Sequence, residues 1–262
     1  MTALEGQVRA AVQVAPGRVS VAVLDHRGGR VELDAHRPVP SASTIKVAIL
    51  VAALAAVSRG DLRLDQPVDL PVTRVGGSGA LSLTPSVTTL PLEELLALMV
   101  ALSDNDATNA VIDVVGITAV QDLLERHGLS GTRLQRHLMD LEAAARGRDN
   151  LTCAADLTRL LALLVTGDLL PPVGTDHALN LLASQQHVSG LPGALPPELW
   201  HGNKTGELVG LRHDMALFRR GERWAAVAMT ATGLTVEGVD HGATVLPTFA
   251  AIGAAVAGSL GG

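Results

Sequence analysis

Apolar positions along this chain follow two rhythms. Short alternating or β-branched runs lie near the two ends, and runs at helical spacing fill the middle. Residues 3–14 read as an amphipathic helix, and 19–24 and 31–33 as strands joined by a turn at Arg27, Gly28 and Gly29. A proline and two serines at 40–43 then give way to an almost unbroken apolar helix to 57. A polar, glycine-rich stretch passes Asp61, Pro67 and residues 76–79. Pro91 opens a helix that runs up to Ser103, and further helices are expected over 107–115 and 118–127, the last stopped by Gly128. Residues 133–150 are polar and irregular. Thr152 caps a helix ending at Gly167, another covers 176–184, and strands follow at 199–205, 215–218 and 224–230, the last two joined at Arg220 and Gly221. An Ala-rich helix over 243–260 closes the chain.

Strands at both ends with helices between predict an α+β fold. One antiparallel sheet is completed by both termini and flanked by the N- and C-terminal helices, with an all-helical lobe inserted into it. The sheet lobe is 1–39 with 200–262, the helical lobe 40–199, and a functional site is expected at their seam. No internal repeat or low-complexity linker interrupts this plan.

Composition narrows the chemistry. The chain has 262 residues, 47% apolar but only 2% aromatic, with no tyrosine, so Ala, Leu, Val and Gly must build the core. A net charge of −6 without a basic cluster argues against nucleic acid or an anionic membrane as partner. The single cysteine, Cys153, precludes an intrachain disulfide, and the scattered histidines lack metal-ligand spacing, so neither metal nor cofactor is expected. The first residues carry Glu5 and Arg9 and no apolar signal segment, which reads as cytoplasmic, or as periplasmic or secreted if a leader precedes this chain. The run 47–57 is too short to span a bilayer, and 243–260 reads as a packing helix. A monomer acting on a small molecule is expected.

Lysine usage marks two positions. Of 20 basic residues only Lys46 and Lys204 are lysines. Arginine is a poor substitute where a compact amine must lose or share a proton. Lys46 follows Ser43 by three, which puts both on one helix face; burial and a helix N-terminus would lower the amine's pKa and let it take the Ser43 proton. Lys204 opens Lys204-Thr205-Gly206 at the end of a strand, and Ser103-Asp104-Asn105 lies between helices.

Ser43-x-x-Lys46, Ser103-Asp104-Asn105 and Lys204-Thr205-Gly206, in this order and setting, resemble the signature of class A β-lactamases and penicillin-binding proteins over nearly the whole chain. The missing tyrosine excludes relatives that use Tyr-x-Asn as the second element. The resemblance implies that Ser43 is the acylated nucleophile, Lys46 its proton partner, and Ser103 the relay to the leaving amine. It implies substrate contacts from Asn105, Lys204, Thr205 and Gly206, and an oxyanion hole made by the backbone N–H groups of Ser43 and Glu207. Asp104 is expected to tie down its own loop.

One departure matters. At the position of the glutamate that activates water for deacylation in class A enzymes, an ungapped reading gives Leu138, and Glu142 stands four residues on. In a helical turn Glu142 shares a face with Leu138 and could reach a similar water; Asp140 points elsewhere. Arg136 with Asp149 could close the loop neck as an ion pair. The expectation is an acyl-serine hydrolase that opens β-lactam or related amide bonds with slow deacylation. The alternatives are a peptidase or esterase of the same fold, or a penicillin-binding or sensing protein that acylates without turnover.

Overall fold

The computed structural model describes residues 2–261. Its frame is a five-stranded antiparallel sheet of β1 (Arg18–Asp25), β2 (Arg30–Leu33), β3 (Trp200–Leu208), β4 (Leu211–Arg220) and β5 (Arg223–Thr232), in the order β2-β1-β5-β4-β3. The N-terminal hairpin therefore pairs with the last strand, as the sequence pattern predicts for a sheet completed by both ends.

Alternation along these strands serves two cores. Val19, Val21 and Val23 of β1 and Phe218 of β4 enter one apolar cluster, with α1 (Thr2–Gln13) and the helix Leu246–Ser259. Ala22 of β1 and Met215 and Leu217 of β4 enter the other, beneath the helical lobe. Period-two side-chain direction lets one strand feed both layers.

The second core is built around α2 (Lys46–Arg59), in which every residue from Lys46 to Leu54 is buried. It packs against α3 (Leu92–Ala101), α4 (Asn105–Val115), α5 (Ile117–Arg126) and α8 (Pro172–Ala183). The short α6 (Leu141–Ala145) lies in the stretch read as irregular, and α7 (Ala154–Val165) covers β1 and β5. The closing helix, α9 (Leu246–Ser259), packs on α1 and β5. With their leading 3₁₀ turns, Ala42–Arg59 and Gly242–Ser259 are each long and apolar enough to cross a membrane by length and composition, longer than the run of 47–57 suggested.

Several boundaries moved for local reasons. Helix α8 starts at Pro172, four residues before the expected start, because a proline's fixed φ suits the first helical position. Strand β4 extends well beyond the predicted core of 215–218, since polar Arg212, His213 and Asp214 also join the ladder, while β5 exceeds 224–230 by one residue at its start and two at its end. Strand β3 runs on to Leu208, so Lys204, Thr205 and Gly206 lie within it rather than at its end.

Candidate active site

Ser43 sits in a 3₁₀ turn, Ala42–Ile45, that leads straight into α2. Residues three apart eclipse in such a turn, which aligns Ser43 with Lys46 more closely than the α-helical first turn that was expected. The turn lies against β3. A methyl group added at Gly206 would come within 3.1 Å of the Ser43 nitrogen and of the Ala42 Cβ, so any larger residue would have to push strand and turn a few tenths of an ångström apart.

The second triplet arrives where α3 stops and α4 begins. Asp104 caps α4, accepting the Ala107 N–H at 2.9 Å, and its other oxygen accepts the N–H groups of Ala80 and Leu81 at 2.7 and 2.8 Å. It fixes its own loop, as expected, and also the glycine-rich stretch beside it. Ser103 is held at φ +55°, a conformation uncommon for a residue with a side chain.

These elements converge on two lysines. Lys46 Nζ donates to the Ser103 carbonyl at 2.6 Å, to Ser103 Oγ at 3.1 Å and to Asn105 Oδ1 at 2.9 Å. Lys204 Nζ donates to the same Ser103 Oγ at 3.0 Å and to the Thr205 carbonyl at 2.9 Å. Both lysines are fully buried. Burial, then the neighbouring Lys204, pulls Lys46 well below the ordinary lysine pKa, against a smaller upward pull from Asp104. Burial pulls Lys204 down to about 7, opposed by Asp214 and Glu207. A lysine that loses its proton near neutrality is suited to proton transfer.

Above this cluster lies a cleft of about 440 Å³. Ser43, Asn105 and Glu207 line it, with Leu138, Met139 and Leu141 on one bank and Leu208 and Val209 on the other. The structure thus joins Lys46, Ser103, Asn105 and Lys204 by hydrogen bonds, with Ser43 three residues ahead of Lys46 on the cleft lining and Thr205, Gly206 and Glu207 following along β3.

It does not bring Glu142. That carboxylate is 76% exposed, is paired with Arg146 one helical turn on, and takes no part in lining the cleft. The sequence placed Glu142 on the face of Leu138, but the chain turns at Met139 (φ +65°), and α6 begins only at Leu141. Asp140 caps α6 instead, accepting the Ala143 N–H at 2.9 Å.

The loop itself is tightly held. Arg136 and Asp149 close its neck as anticipated, with N–O distances of 2.7 and 3.0 Å. Two asparagines that sequence reasoning missed do as much. Asn150 Oδ1 accepts the Gln135 and Arg136 N–H groups, while its Nδ2 donates to the Arg136 carbonyl. Asn109 reaches from α4 to clasp both backbone groups of Leu138 at 2.8 and 3.1 Å. These partners lie 14 and 29 residues apart, and no periodic pattern marks them.

Comparison with known proteins agrees with this geometry. The model of the Beta-lactamase enzyme family matches residues 3–259. The chain belongs to that family. Among solved structures similar to it, a β-lactamase from Sphaerobacter thermophilus DSM 20745 is 24% identical with a TM-score of 0.87, over 99% of this chain and 97% of that one. PBP-A is 22% identical with a TM-score of 0.88, over 100% and 97%, and a leucine-to-glutamate variant of it is an acyl-enzyme complex with penicillin G. An ancestral class A β-lactamase is 26% identical with a TM-score of 0.84, over 95% and 98%. The fold is therefore that of β-lactamase-family serine hydrolases, shared by class A enzymes and PBP-A.

Proposed function

We propose that this protein takes β-lactams, or related amides and esters, as acyl donors at Ser43 and releases the acyl group slowly. Lys46 as a neutral amine accepts the Ser43 proton while Oγ attacks the carbonyl carbon. The backbone N–H groups of Ser43 and Glu207 face the developing oxyanion, where one such donor is worth roughly 2.7–4 kcal/mol in comparable sites. The C–N bond then breaks. Its nitrogen takes a proton from Ser103, which Lys46 replenishes along their 3.1 Å hydrogen bond. Lys204, Thr205 and Asn105 orient the donor.

The observation that carries the acylation half is the single hydroxyl, Ser103 Oγ, bonded to both buried lysines. Slow release rests on the other wall of the cleft. The loop offers Leu138, Met139 and Leu141 there; of its acids, Asp149 lines the cleft but is tied up by Arg136, Asp140 caps α6, and Glu142 pairs with Arg146 away from the lining. Without a base to activate water, an acyl-enzyme persists.

Intact mass spectrometry after mixing with a chromogenic cephalosporin tests this directly, with Ser43→Ala as the control. The expected result is a mass increment at Ser43 that outlasts a small burst of colour. An increment that vanishes while colour accumulates steadily would make the protein an efficient lactamase. No increment would exclude this donor class in favour of peptides or other esters.

A further inference from the structure

Beneath the nucleophile's turn, a row of residues crosses the sheet. Strand pairing sets Gly206 opposite His213, His213 opposite Thr230, and Thr230 opposite Ser20. Residues paired in this way share one face with Cβ atoms about 4.5–5.5 Å apart, and Gly206 shows that this is the face lying against Ser43. His213, Thr230 and Ser20 are completely buried. The row is tied at both ends. Arg37 Nε donates to Ser20 Oγ at 3.1 Å, and His213 Nε2 lies 2.9 Å from the carbonyl oxygen of Pro40, just ahead of the nucleophile's turn. In the middle, His213 Nδ1 and Thr230 Oγ1 have no hydrogen-bond partner among the described residues. Buried polar atoms are rarely left so, and these two sit on facing residues.

Donor and acceptor logic fixes the protons. A carbonyl oxygen only accepts, so Nε2 must carry the hydrogen, and the neutral ring then presents Nδ1 as an acceptor. Thr230 opposite supplies a hydroxyl donor. Burial is the largest influence and pulls the ring's pKa down, helped by the Arg37 guanidinium and opposed by the backbone carbonyls of Arg212 and Pro40.

We propose that His213 is a positioning residue. Its neutral Nε2–H tautomer holds the Pro40 carbonyl, and one water bridging the Thr230 hydroxyl to Nδ1 orients the ring. Pinned at Pro40, the turn keeps the Ser43 N–H and hydroxyl in register with β3. The inference extends the assignment of Ser43 as the acylated group and rests on it for its kinetic consequence, but not for the tautomer.

Two measurements on the full chain test it. Nitrogen-15 NMR of labelled histidines should show His213 with a protonated Nε2 and a bare Nδ1, unchanged between about pH 5 and 8. A protonated Nδ1, or a ring that titrates in this range, overturns the proposal. In the second measurement, acylation by penicillin G is followed by mass spectrometry in His213→Gln, which keeps an N–H near the Nε2 position, in His213→Phe, which has none, and in Thr230→Val. At saturating donor His213→Phe should acylate at least about tenfold more slowly with little change in half-saturation, and His213→Gln should recover most of the rate. Thr230→Val should fall between them and disturb the tautomer signal. Equal rates in the Phe and Gln variants, corrected for folded fraction, overturn the positioning role. Should the Phe variant not fold, the Gln and Val variants with the tautomer signal decide. A wild-type protein that penicillin G does not acylate contradicts the Ser43 reading, while the NMR result still decides the tautomer.

Discussion

The floor and the roof of the cleft are built to different standards. On the floor, Lys46, Ser103, Asn105 and Lys204 are buried and joined by hydrogen bonds of 2.9–3.1 Å between their side chains. The roof, residues 133–150, is pinned as firmly by Arg136, Asp149, Asn109 and Asn150, yet it lines the cleft with Leu138, Met139, Leu141 and the Arg136–Asp149 pair and leaves Glu142 in solvent. Rigidity is common to both. In the proposed reaction the proton-transfer groups all lie on the floor, so forming and breaking an acyl-enzyme make separate demands on the two walls.

Removing the floor should have the largest effect. Ser43→Ala should abolish the mass increment, and Lys46→Ala should slow acylation by about 10³-fold, within the usual range for a general base. Lys46→Arg should be nearly as poor, because a guanidinium does not give up its proton. A Lys46→Arg protein that acylates at the wild-type rate would break the comparison at its base.

Supplying the roof with a base should sharpen it. Leu138→Glu puts a carboxylate on the cleft wall at a position whose backbone Asn109 already clasps. Deacylation should then accelerate by about 10²-fold, the low end of the general-base range, with little change in acylation. Single-turnover loss of the acyl mass measures this, and an unchanged lifetime would show that the roof lacks more than a base.

Much of the floor was legible in the sequence because its chemistry is carried by residue type. Two lysines in a chain that otherwise uses arginine, each within a short motif, announce themselves. The sheet was legible for a similar reason: apolar residues at both ends of the chain could be buried only by pairing the ends. The roof was harder. The displacement of Glu142 depends on a left-handed residue at Met139, and nothing about a methionine signals a positive φ. The Asn109 clasp and the row from Gly206 to Ser20 are contacts between distant parts of the chain, set by the tertiary fold and invisible to spacing.

The pH dependence separates the two lysines on the floor. Lys204 ionises near 7, and the proposed donor contact needs its positive charge. As pH rises through about 7, free Lys204 loses that charge, so acylation efficiency toward a carboxylate-bearing donor should fall by about tenfold per unit well above it. Lys46 acts in the opposite sense, because it must be neutral, and its lowered pKa keeps it so from a lower pH. Efficiency should therefore be bell-shaped, and its alkaline limb should vanish for a donor lacking the carboxylate. The loop neck gives a smaller effect. A double-mutant cycle on Arg136 and Asp149, read by denaturant unfolding, should return a coupling of about 1 kcal/mol for this half-buried pair.

The smallest effect is the most informative about the roof. Glu142→Gln should leave both acylation and deacylation within about twofold of the parent, because the carboxylate stands in solvent beside Arg146 and an exposed pair at this spacing contributes only about 0.3–0.5 kcal/mol. If this variant instead lengthened the acyl lifetime tenfold, Glu142 would have to swing inward once the acyl group is in place. Such a swing requires residues 139–142 to unwind the start of α6 and release the Asp140 cap. Asp140→Ala would then change the lifetime too, whereas in the structure described it should cost stability alone, about 1 kcal/mol for a lost helix cap.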